Sequence, residues 1–104
     1  MCIFKRLKRA RLEKELSNLN NQLNLELEAK NYYQLAAKMA KVSSKSLAKK
    51  EKQCENTDSL SYSQNIDILI FTSNALLLKA NNHQTRAIFL QTEIDKIETQ
   101  LREL

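Results

Sequence analysis

One histidine, His83, and two cysteines, Cys2 and Cys54, are the only imidazole and thiol groups in the 104-residue chain. A Cys–His nucleophile needs hydrogen-bond contact between its two members. On a helical hairpin with its turn near Ser59, Cys54 and His83 stand about 28 Å apart at the helical rise. A zinc site needs three or four convergent ligands, and these three residues form no metal-binding spacing. The chain has no glycine, so it lacks the glycine-rich loop that cradles phosphates. The expectation is a non-enzymatic protein with no cofactor and no metal, in which His83 is a polar specificity element within a helical seam. Tyr32 or Tyr33 is its expected partner.

The residue types that do recur are cationic and apolar. Lys38, Lys41, Lys45, Lys49 and Lys52 are spaced 3, 4, 4 and 3, which places five ammonium groups along one helix face over about 21 Å. Residues 30–52 carry seven basic residues and one acidic residue. Such a ridge tracks phosphates or meets an acidic partner. The competing reading is a solvated face, opposite the packing seam, that keeps the helix soluble. The stretch has no arginine, so sequence-specific base readout is not expected. A second basic feature opens the chain, "MCIFKRLKRARLEKEL". There Lys5, Arg6, Lys8, Arg9 and Arg11 surround Ile3, Phe4 and Leu7. This pattern fits a basic arm for nucleic acid or an amphipathic segment on an anionic membrane surface. It also fits a solvated helix start. The net charge of +5 suits an acidic partner without requiring one.

These side chains must be positioned by helices. The chain contains neither glycine nor proline, the residues that make tight turns and break helices. The fold class is therefore all-α: a long antiparallel helical hairpin with coiled-coil packing, assembling into a helical bundle. The strongest punctuation is "ENTDSLSYSQN", residues 55–65, rich in side chains that compete with helical hydrogen bonds. Ser61 and Gln64 have capping-box spacing. One helical domain over residues 1–104 is expected, with helix one over about 4–54, a turn at 55–61 and helix two over about 62–104. Facing residue numbers then sum to about 118, placing His83 near Leu35. A compact four-helix bundle, broken at Asn20–Asn21 and Asn81–Asn82, is the alternative.

Helix two has a regular seam. Ile66, Ser73, Ala80, Ala87, Ile94 and Leu101 form one row, and Leu69, Leu76, His83, Leu90, Ile97 and Leu104 the other; ten of these twelve are apolar. That is a sustained coiled-coil repeat. Helix one starts with Leu12, Leu16, Leu19 and Leu23 and continues with Tyr33, Ala37, Ala40, Ser44 and Leu47. Between them the seam meets Glu26 and Lys30, which implies either a stutter or an edge ion pair. "IDILIFTSNALLLKA", residues 66–80, holds more apolar residues than one seam uses. Ile68, Phe71, Ala75 and Leu78 form a second stripe on the opposite side, with Phe89 further along. One neighbouring helix cannot cover both stripes, so the second is expected to meet a second copy of the chain or another protein.

These features define a self-associating helical interaction module, most simply a dimer. Scaffolds, adaptors, phage or plasmid accessory factors and stoichiometric inhibitors act in this way. Non-specific nucleic-acid binding through the ridge and arm, and membrane-surface association through the N-terminus, are the alternatives. The longest apolar window falls short of the roughly 20 residues that cross a bilayer, and no secretory signal pattern opens the chain. The expected location is cytoplasmic.

Overall fold

The computed structural model describes residues 2–53 and 59–104. It contains two α-helices, α1 (Cys2–Gln53) and α2 (Ser59–Arg102), packed against each other as a helical hairpin. No strand occurs among the described residues. Neither asparagine pair breaks its helix, because Asn20, Asn21, Asn81 and Asn82 all lie on exposed positions within α1 and α2. Asparagine costs well under about 1 kcal/mol against alanine in a helix, and seam packing outweighs that. Helix two begins at Ser59, three residues before the expected start. Extending it back keeps Tyr62 half-buried on the seam. That packing competes with an N-cap worth only about 1 kcal/mol, and Ser61 therefore lies inside the helix rather than capping it. Cys54 and residues 55–58 of the expected turn lie outside the described residues.

The facing register also differs from the expected one. Ser73 meets Ala37, Lys79 meets Tyr33 and His83 meets Glu26. Facing numbers thus sum to about 110, roughly one heptad from the sequence expectation. A slip of one heptad returns apolar positions to apolar positions, so the seam alone does not resolve it. His83 accordingly pairs with Glu26. The helix-one seam shows no stutter. Its buried and half-buried positions run Leu12, Leu16, Leu19, Leu23, Glu26, Lys30, Tyr33, Ala37, Ala40, Ser44, Leu47 in unbroken 4–3 alternation.

The chain divides into two compact units. The first comprises Met1–Ala29 and His83–Leu104, the second Lys30–Asn82. The first unit buries Leu12, Ala87, Leu90, Ile94 and Ile97, a leucine–isoleucine seam in which each large side chain stabilises by about 1.5–3 kcal/mol. In the second unit the fully buried residues are small. Ala37 and Ala80 are each 1% exposed, and Ser44 and Ser73 are buried beside them. Small seam residues let helix axes approach to the low end of the roughly 8–10 Å range. The Ser73 hydroxyl donates to the Ala37 carbonyl at 2.9 Å, and the Ser44 hydroxyl donates to the Lys41 carbonyl at 2.6 Å. Both buried hydroxyls are thereby satisfied, which removes the penalty for burying them.

The two seams respond differently to substitution. Ile94→Ala leaves a cavity and is expected to cost about 2–5 kcal/mol in urea denaturation. Ala80→Leu overfills a close contact and is expected to cost about 1–3 kcal/mol. An Ala80→Leu protein as stable as the parent would contradict the close-packed seam.

Candidate functional site

The polar centre of the first unit is Glu26 with His83 and Arg86. His83 Nδ1 lies 2.5 Å from Glu26 Oε2, and Arg86 Nε donates to Glu26 Oε1 at 3.1 Å. Arg86 Nη2 also lies 3.0 Å from His83 Nδ1. One ring nitrogen cannot both donate to a carboxylate and accept from a guanidinium. The ionised carboxylate only accepts, so Nδ1 carries the proton and donates to Glu26. The His83 hydrogen bond, followed by Arg86, holds the Glu26 carboxyl below its ordinary value, with desolvation opposing. The trio pairs every charge it half-buries.

The second unit displays the lysines and the second apolar stripe. Ile68, Phe71 and Leu78 are 60%, 75% and 63% exposed, and Ala75 is exposed between them. Phe89 is also exposed, in the first unit. Sequence reasoning missed a matching stripe on α1, where Tyr32, Leu35, Met39 and Val42 are all exposed at 3–4–3 spacing. The signal was present in that spacing, but interleaved lysines break it into isolated residues. Both stripes stand at heptad positions roughly opposite their own helix's seam. The second unit therefore has small residues at its fully buried positions, half-buried Tyr33, Leu47, Ile66, Leu69 and Leu76 beside them, and further large apolar residues outside. Tyr33, like Tyr62, is half-buried; it packs edge-to-face on Tyr32 with centroids 5.3 Å apart and receives the Lys79 ammonium 5.5 Å above its ring.

Lys38, Lys41, Lys45, Lys49 and Lys52 are all exposed. The ridge does not lie opposite the seam. It runs beside it, because the first three lysines occupy positions one and four residues after seam residues Ala37 and Ser44. Lys38 and Lys41 share a groove with Ala37 and Ser73, and Lys41 and Lys45 share another section of it with Ile70 and Leu77. In the first unit, Lys5, Arg6, Lys8, Arg9 and Arg11 are exposed, together with Ile3, Phe4 and Leu7. Phe4, Leu7, Lys8 and Arg11 line one shallow surface depression.

Among the described residues no cluster of three or more His, Cys, Asp or Glu side chains is placed to hold a metal ion. No described helix is long and apolar enough to cross a membrane. No protein-family model matches the chain, and neither a curated protein nor a solved structure matches it.

The Glu26 contacts set a pH dependence. A carboxyl held below its unfolded value of 4.5 contributes stability that is present above that value and lost as pH falls through the lower folded value. Glu26→Gln is therefore expected to cost about 1 kcal/mol at neutral pH, a figure kept small by partial exposure. The deficit relative to the parent should shrink below pH 4.5. Urea midpoints measured from neutral pH into the acid range test this, and a deficit independent of pH would contradict it.

Proposed function

We propose that the protein is a non-enzymatic helical interaction module that self-associates through the outer face of α2 in its second unit. The observation that carries this reading is the inverted pattern there: Ile68, Phe71 and Leu78 exposed, Ala37 and Ala80 buried. Burying large apolar side chains drives association as it drives folding. A monomer has no energetic reason to place alanine on its seam and phenylalanine in water along the same helix. Charge selects the face of α2 over that of α1 for pairing two copies. From Ser59 to Asn82 the only charged residues of α2 are Asp67 and Lys79. The outer stripe of α1 is interleaved with Lys38 and Lys41, and two such faces would repel. A patch of roughly several hundred Å² contributes several kcal/mol at about 25 cal/mol per Å², before the entropy of association is subtracted. Joining two hairpins this way generates a four-helix arrangement.

Phe71→Glu combined with Leu78→Glu is expected to convert the self-associated species to monomer in light scattering while leaving helical content unchanged, since both positions are exposed. An unchanged mass, or a parent protein that is already monomeric, would remove this reading.

A second reading rests on a different observation. Ile3, Phe4 and Leu7 are exposed among five exposed cations, and no acidic residue occurs before Glu13. Cations with exposed apolar side chains suit an anionic membrane surface, where both are satisfied together. In flotation with phosphatidylserine-containing vesicles, the full chain is expected to float at low salt. Phe4→Ser with Leu7→Ser should abolish that, and flotation unaffected by the double substitution would argue against it.

A further inference from the structure

The second unit carries another apolar surface, distinct from the outer faces. Ile66, Ile70, Ser73 and Leu77 follow one another along α2 at 4–3–4 spacing and border a groove. Ile70 and Leu77 remain exposed within it. Facing them, α1 contributes Gln34, Ala37, Lys41, Ser44 and Ala48 at 3–4–3–4 spacing. Two sections, of about 490 and 390 Å³, share Lys41, Ser73 and Leu77 and so form one continuous channel. It runs along α1 from Asn31 to Ala48, about 25 Å at the helical rise. Small residues leave its floor open, and Lys38, Lys41 and Lys45 stand along one wall. None of its lining residues is acidic.

We propose that this groove takes an acidic amphipathic helix of a partner protein, laid along it as a third helix. The proposal rests on the interaction-module reading but uses a surface separate from the self-association face. Two rows at heptad spacing, one on each wall, offer the holes that an incoming helix fills with its own apolar stripe. The lysine wall supplies charge complementarity to carboxylates flanking that stripe. A nucleic-acid duplex would reach the lysines but leave Ile70 and Leu77 wet. A second copy is a poor match, because α2 between Ser59 and Asn82 has one acidic residue, Asp67. Further along α2, Glu93, Asp95 and Glu98 surround exposed Thr92 and Lys96 rather than an exposed apolar stripe.

The test uses the full chain and two synthetic helical peptides of three heptads. One has leucine at its a and d positions and glutamate at its flanks; the other has lysine for glutamate. Fluorescence anisotropy should show the acidic peptide binding with an affinity that falls as salt rises, and the basic peptide failing to bind. Lys41→Glu with Lys45→Glu should weaken the acidic peptide by about tenfold or more, with helical content unchanged because both lysines are exposed. Leu77→Ala should weaken it as well. Phe71→Glu with Leu78→Glu should leave peptide binding intact, so the groove and the self-association face fail or stand separately. Equal binding of both peptides, indifference to the charge reversal, or displacement of the acidic peptide by a short DNA duplex would each overturn the proposal.

Discussion

The hydrogen bond from the Ser73 hydroxyl to the Ala37 carbonyl, 2.9 Å long, spans the interface between α1 and α2. A side-chain hydroxyl is short, so it reaches the opposite backbone only when both helices present small residues at that level. Ala37 and Ser73 meet this requirement and are buried, as are Ala80 and Ser44 further along the seam. Close approach leaves only small residues fully buried there, while Tyr33, Leu47, Ile66, Leu69 and Leu76 are half-buried along the same seam, and further apolar bulk of the second unit stands elsewhere. It stands on the outer stripes of both helices and along the groove. The exposed apolar surfaces thus accompany the way the interior is built.

The first unit uses a different device. Its seam is rich in leucine and isoleucine and would tolerate a slip of one heptad with little loss of apolar contact. Glu26 and His83 interrupt that degeneracy. Each is a polar group on an otherwise apolar seam, and each would lose a hydrogen bond if paired with leucine. Leaving such a group buried without a partner costs more than the bond itself contributes. Polar seam residues in coiled coils can specify register at a cost in net stability.

The helices were legible in the sequence for a direct reason. With no glycine and no proline, and with seam positions sustained at 4–3 spacing, every local preference points the same way. The register was not legible from the turn, because the Ser-, Asn- and Asp-rich stretch offers several helix starts of similar strength. It was present elsewhere in the chain. Glu26 is an acidic residue in the middle of the helix-one seam and His83 the imidazole on the helix-two seam, and the structure pairs them. The outer stripe of α2 could be read because Ile68, Phe71 and Leu78 lie within a dense apolar run. The stripe of α1 was obscured because Tyr32, Leu35, Met39 and Val42 are separated by tyrosine, glutamine, alanine and lysine. The lysine ridge was recognised as a charge pattern, but its place beside the seam depends on where each lysine falls relative to Ala37 and Ser44.

That placement changes what the lysines can do. A ridge opposite the seam would have only solvent for a neighbour, and its contribution would be solubility. A ridge at the rim of an apolar groove acts on whatever enters the groove. It strengthens the binding of an acidic helix and opposes a basic one, since like charges brought into a partly dehydrated site cost free energy. It also opposes pairing through α1, because two copies joined there would bring their lysines together. On the proposed reading, one row of charge would bear on two choices at once, the class of partner in the groove and the face used for self-association. This coupling follows from heptad geometry, in which positions beside the seam also border the grooves on either side of it.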